Sequence, residues 1–339
     1  MTKLEQLQNS GIRRLGTPAR GFKYKNADGT RVSAANLKRI DDLHIPPAWS
    51  NVWINATVGG AVQAIGQDAA GRLQSLYHAS HVRRQRTRKF RRLIKFGEAL
   101  PRMRTTVASH IRQPGLGREP VMAAILRILS ACFLRPGSRA YARQNDSFGL
   151  TTLRPRHVKV KGDVVEFDFG GKSGVQQQHR LKDRRVAGIL KRLLAHPSSE
   201  VFKYQDGAGN FVNVTGHHIN DYIHEVMGAK FSAKDFRTWA GTLVCACALA
   251  RLGVEAVETC ASRRRKLVKA IKETADILGN TPQVCRDSYV SPEVITGFEN
   301  GKVIGNYFQT IEELVRYRGR KLHPAEQALL AFMVRDAHD

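Results

Sequence analysis

Up to about residue 80, apolar positions fall in short alternating runs broken by glycine and turn residues, the period of strands rather than helices. Phe22 to Val32 alternates around Asn26-Ala-Asp-Gly29 and predicts a hairpin. Asn51–Asn55, Ala61–Gly66 and Arg72–Tyr77 predict further short strands, the last two joined by Gln67-Asp-Ala-Ala-Gly71. Beyond residue 98 the spacing becomes helical. Pro120 opens an apolar run from Val121 to Leu134 that predicts a buried helix stopping at Arg135, since Pro136 disfavours helical geometry for the residue before it. Residues 157–181 return to alternation. His157–Lys161, Val164–Phe169 and Val175–Leu181, divided by Gly162-Asp163 and by the glycine-rich 170–174, predict a three-stranded antiparallel meander.

Helical spacing then resumes, with Thr215 as an N-cap ahead of Ile219, Tyr222, Ile223 and Val226. Ser232-Ala-Lys-Asp235 resembles a capping box and opens a helix that is uncharged from Thr238 to Ala250. Glu255–Leu278 predicts an amphipathic helix carrying Arg263, Arg264, Arg265, Lys266, Lys269 and Lys272, and Pro324–Met333 a packed terminal helix. The fold class expected is α+β, with a small β-rich domain over 1–85 and a larger, mainly α-helical domain over 86–339 that contains the antiparallel sheet.

Charge narrows the partner. The 339 residues carry 55 Lys+Arg against 29 Asp+Glu, a net +26, while 42% hydrophobic residues are too many for a disordered basic tail. Arg83, Arg84, Arg86, Arg88, Lys89, Arg91, Arg92 and Lys95 follow one another with no acid between them. Such a run can be a solvated helical face. Its self-repulsion, relieved by a bound polyanion, favours a DNA-contacting hinge between the domains. Without a long apolar stretch or a signal-like N-terminus, the expectation is a soluble, cytoplasmic, nucleoid-associated protein with no membrane partner. Five cysteines without a C-x-x-C pair read as reduced thiols. Gly171-Lys172-Ser173 lacks the P-loop's earlier glycine, because Glu166 stands there, and His217-His218 has no nearby metal partners.

Five residues resist a purely structural reading. Arg135 ends a buried helix, Lys172 sits on a glycine-rich turn, and Arg237 precedes 13 uncharged helical residues, so that it needs an anionic partner or a route to solvent. Asn280 follows Leu278-Gly279 at a helix end, and Tyr289 lies just before Ser291-Pro292. Singly, each could be a cap, a solvated turn residue or a core tyrosine. Their surroundings add more: Phe133-Leu-Arg-Pro-Gly-Ser-Arg-Ala-Tyr141, Gly149-Leu-Thr-Thr-Leu153, Phe169-Gly-Gly-Lys-Ser173, Lys234-Asp-Phe-Arg-Thr-Trp239 and Leu278-Gly-Asn-Thr-Pro282 through Arg286-Asp-Ser-Tyr289. In this order and register, over roughly residues 70–295, the segments resemble the type IB DNA topoisomerases, in the bacterial form of their compact poxvirus-like branch.

The resemblance implies that 1–85 is a DNA-binding domain, that 86–339 is a catalytic domain of the fold shared with tyrosine recombinases, and that Tyr289 attacks a DNA phosphodiester there to give a 3′-phosphotyrosyl intermediate. It also implies that Arg135 and Arg237 stabilise the phosphorane, that Lys172 protonates the departing 5′-oxygen, and that neither ATP, metal nor any other cofactor takes part. Asn280 stands where many family members have histidine; its amide can donate the same hydrogen bond but carries no charge. Gln74, Tyr77 and Tyr141 are candidate DNA contacts, together with Arg83, Arg84, Arg86 and Arg88. Ser75 replaces one of two tyrosines that the viral branch has on this strand. The expected partner is double-stranded DNA, held by a monomer clamped around it. The alternatives are a tyrosine recombinase, although Lys234 stands where recombinases usually carry histidine, and a DNA-binding protein without catalysis.

Overall fold

The structure, a computed structural model, describes residues 1–228, 231–255 and 259–335, except for the Ser173 side chain. The chain divides into two compact units, Met1–Phe90 and the residues from Arg91 onward. The first is built on a five-stranded antiparallel sheet of β1 (Ile12–Thr17), β2 (Gly21–Asn26), β3 (Ser50–Ile54), β4 (Val62–Gln67) and β5 (Leu73–Tyr77), in spatial order β2-β1-β3-β4-β5. Ile12, Val32, Ile40, Val52, Ile54 and Ala64 form its core.

The expected hairpin is displaced. β2 pairs with β1 through the turn at Thr17–Gly21, and Asn26–Gly29 turns into only a single bridge, Lys25 to Arg31. Strand β1 escapes the apolar pattern because Arg14 occupies an inward position. That guanidinium lies 4.1 Å from the Phe22 ring centroid and donates to the carbonyls of Pro46 and Trp49, so it is buried with its donors satisfied. Helices Lys3–Ser10 and Ala34–Asp42 are also additions, each with its own cap, Thr2 and Ser33.

The basic run lies within one continuous helix, Ala79–His110. From Arg91 on, its Leu93, Phe96, Leu100, Met103 and Val107 are buried at helical spacing. Phe96 meets Phe231, Phe236 and Trp239, and Gly97 admits the Trp239 ring where a Cβ would lie 2.5 Å from it.

Helix Arg118–Cys132 is buried nearly throughout, yet ends earlier than expected. Phe133 adopts the left-handed conformation, φ 52°, and its N–H bonds the Leu129 carbonyl. Arg135 therefore lies on the extended exit rather than on the helix. The meander forms as β6 (Val158–Lys161), β7 (Val164–Gly170) and β8 (Gln176–Lys182), in that order. Thr215 caps helix Gly216–Met227, and His218 serves in that capping box. Asp235 accepts from the Ser232 N–H at 2.7 Å and opens core helix Ala233–Leu252. The amphipathic helix is seen as Cys260–Leu278, capped by Thr259; positions 256–258 of the expected span lie outside the described residues. Helix Pro324–Arg335 packs through Ala325, Leu329 and Met333.

Candidate active site

Three chain segments converge on the N-terminal part of the core helix. Arg237, 3% exposed, points from it beneath the exits of two other helices. Its Nη1 donates to the Phe133 carbonyl, and its Nη2 to the Leu278 carbonyl at 2.7 Å. Both acceptors belong to helix C-terminal ends, where unpaired carbonyls and the negative end of the macrodipole favour a cation. This answers the charge problem posed by the sequence: no carboxylate is needed. The two carbonyls stand two residues ahead of Arg135 and of Asn280, so one buried guanidinium ties together the backbone turns that carry them.

Those two residues meet. Arg135, half-buried, donates from Nη2 to Asn280 Oδ1. The contact fixes the amide's orientation and leaves Asn280 Nδ2 buried with no partner among the described residues. Arg237 Nε is in the same position. Unpaired buried donors are costly in a folded protein, and two in one site point to a ligand rich in acceptor oxygens.

Tyr289 follows helix Pro282–Ser288 as its C-cap, with its N–H bonded to the Cys285 carbonyl at 2.9 Å. Its ring lies beside Arg237, 5.1 Å from centroid to guanidinium carbon, and the residue is 8% exposed. Burial opposes ionisation of the phenol. The charge of Arg237 and its hydrogen bond to Tyr289, reinforced by Arg135 and Lys234, outweigh it and hold the phenol below its ordinary value of 10.0. The core helix also seats the tyrosine's backbone. Thr242 Oγ1 donates to the Tyr289 carbonyl at 3.0 Å and accepts from the Ser291 N–H at 3.1 Å. At Gly241 a Cβ would lie 2.8 Å from the Tyr289 Cβ.

Lys172 stands apart from this group. It is exposed on the 3₁₀ turn Lys172–Gly174 between β7 and β8, and among the described residues it makes no side-chain hydrogen bond or ion pair. The structure thus brings together Tyr289, Arg237, Arg135 and Asn280 and leaves Lys172 on a projecting turn.

The candidate DNA contacts are dispersed. Gln74 and Tyr77 share β5 but face opposite ways: Gln74 lies on the side of Leu76 and donates to Asp68 at 2.9 Å, whereas Tyr77 is 47% exposed and stacks on His81. Arg83, Arg84 and Arg88 are exposed on the long helix, and Arg86 is half-buried there. Tyr141 is exposed on helix Arg139–Asn145.

Sequence reading missed Gly241, Thr242 and Lys234 as parts of the site. A glycine inside an otherwise Ala-, Cys- and Leu-rich helix was the available signal for the first. Lys234 lies one turn before Thr238 on the same helix as Arg237, and its charge favours the Tyr289 phenolate.

A buried tyrosine with its phenol held below its ordinary value, beside two arginines and an oriented amide, is an arrangement suited to attack on a phosphate ester. The comparisons with known proteins specify the family. Residues 79–300 match the family described as eukaryotic DNA topoisomerase I, catalytic core, and residues 21–68 match the bacterial DNA topoisomerase IB N-terminal domain. The chain is 31% identical to the DNA topoisomerase 1B of Acanthamoeba polyphaga mimivirus over 86% of its own length and 88% of the relative's. It is 22% identical to the vaccinia virus (strain Copenhagen) DNA topoisomerase 1B, over 68% and 70% respectively. The chain belongs to the type IB DNA topoisomerases. Its activity is the relaxation of supercoiled duplex DNA through a transient 3′-phosphotyrosyl break and religation, chemistry that in this family uses neither ATP nor a metal ion.

Proposed function

We propose that Tyr289 is the nucleophile of this reaction, Arg135, Arg237 and Asn280 its phosphate site, and Lys172 its general acid. The phenolate oxygen of Tyr289 bonds to phosphorus, its proton having passed to water, and the bond from phosphorus to the 5′-oxygen breaks. Lys172 gives a proton to that oxygen, leaving a free 5′-hydroxyl strand. Religation reverses each transfer. Because one phosphodiester is exchanged for another, the bond energy is conserved while the free strand swivels.

The observation that carries this reading is the buried Arg237 guanidinium lying against an acidified Tyr289, with two buried donors, Arg237 Nε and Asn280 Nδ2, that lack partners among the described residues. Arg135 supplies a charged donor to the non-bridging oxygens and Asn280 Nδ2 a neutral one. Arg237 acts mainly on the phenolate, since two of its donors are held by carbonyls. A supercoiled plasmid incubated with the protein in EDTA and without ATP should relax through a ladder of topoisomers. Strict dependence on a metal or on defined recombination sites would overturn the reading.

The neutral donor makes its own prediction. Asn280→His should retain substantial cleavage, because an imidazole N–H can replace the amide. Asn280→Ala should cleave about 10²-fold more slowly, the scale of one lost transition-state donor. Single-turnover cleavage measures both, and near-wild-type rates in all three proteins would remove Asn280 from the mechanism.

The remaining charge serves affinity. Arg83, Arg84, Arg86 and Arg88 on the long helix, with Tyr77, Gln74 and Tyr141, form the proposed duplex contacts, and the β-rich segment and the helical segment are proposed to act as the two jaws of a monomeric clamp. Action on chromosomal DNA would associate the protein with the nucleoid.

A further inference from the structure

Strand β8 carries the run Gln176-Gln177-Gln178-His179. Alternation turns Gln176 and Gln178 outward, where both donate to Asp168, and turns Gln177 inward with Leu181. Gln177 is 6% exposed, yet its own hydrogen bonds are poor: 3.4 Å to the Gln176 carbonyl and 3.4 Å to the His179 ring. Hydrogen bonding therefore does not explain a glutamine here. Its neighbours do. A Cβ on Gly171 would lie 2.7 Å from Gln177 Cγ, and a Cβ on Gly279 would lie 2.7 Å from Gln177 Oε1. Gly279 has a second reason to be glycine, φ +60° at a helix end, but Gly171 is extended with φ −93° and lacks a Cβ for space alone. Gly171 precedes Lys172 and Gly279 precedes Asn280. One side chain thus packs against both turns, and it links the Lys172 turn to the Asn280 turn.

We propose that Gln177 is a positioning residue for leaving-group protonation, setting the Lys172 turn in register with the Asn280 end of the phosphate site by packing between Gly171 and Gly279. The inference rests on Lys172 being the general acid. Loss of the wedge leaves nucleophile and phosphate site intact but lets the ammonium drift from the departing oxygen. Misplacement on the ångström scale is expected to cost about 10- to 100-fold.

The test compares single-turnover cleavage of two duplexes at a site mapped with the wild-type protein, one with the natural 5′-oxygen and one with sulfur in that bridging position. A thiolate departs without needing a proton, because its pKa lies far below that of an alkoxide. Gln177→Ala, which removes the wedge, should be slow on the oxygen duplex and close to wild type on the sulfur duplex, as should Lys172→Ala. Gln177→Ala at the wild-type rate on oxygen, or equally impaired on both, overturns the positioning role while a rescued Lys172→Ala preserves the acid. A Lys172→Ala that sulfur does not rescue overturns the acid assignment itself. If Gln177→Ala does not fold by circular dichroism, Gln177→Asn, one methylene too short to span the gap, carries the same comparison.

Discussion

Tyr289→Phe should yield a folded protein that binds duplex DNA and neither relaxes it nor becomes attached to it. The substitution removes one oxygen from a buried ring and leaves the packing against Arg237 unchanged. Its effect on stability should be about 1 kcal/mol or less, the worth of one hydrogen bond. The effect on cleavage should exceed about 10⁴-fold, as when a nucleophile is deleted from a site whose groups act as a unit. DNA binding, carried by dispersed cations, should keep its affinity and its salt dependence. Relaxation by Tyr289→Phe at a measurable fraction of the wild-type rate would place the nucleophile elsewhere.

Arg237→Ala is the second large effect, and it acts twice. Chemically, burial then pushes the Tyr289 phenol upward without its main opposing charge. The rate of cleavage should rise with pH as the phenol ionises, and that rising limb should move to higher pH in the variant. At neutral pH the loss should be about 10³-fold. Structurally, the carbonyls of Phe133 and Leu278 lose their donor, which should cost about 2–4 kcal/mol. Arg237→Lys separates the two consequences. A lysine restores a positive charge near the ring but lacks a planar fork able to hold both carbonyls, so it should recover part of the pH shift and little of the stability. Wild-type pH profiles in both variants would remove Arg237 from the activation of Tyr289.

The distribution of what was legible in the sequence follows from which interactions are local. The meander 157–181, the Thr215 cap and the Ser232–Asp235 box were readable because turn chemistry and capping act within a few residues. The proposed catalytic residues were legible only as an ordered set of segments, since no local rule distinguishes Arg135 or Tyr289 from a cap or a core residue. Three features were beyond such rules. Strand β1 was hidden by Arg14, whose burial depends on carbonyls more than 30 residues away. The early end of helix Arg118–Cys132 depends on a left-handed phenylalanine, which sequence alone does not announce. The partners of Arg237 are the carbonyls of two remote helix ends, where the sequence suggested only an anion or solvent. Net charge behaves likewise: +26 foretells a polyanion, but only tertiary structure sets one guanidinium against one phenol.

The most direct test of that arrangement is to denature the wild-type protein during turnover on duplex DNA, digest the adduct with protease and nuclease, and sequence the modified peptide by mass spectrometry. The account predicts a single nucleotide-bearing peptide, modified on Tyr289 through a 3′-phosphate, with a free 5′-hydroxyl on the opposing DNA end. A modification on any other residue, or a linkage through a 5′-phosphate, would contradict it.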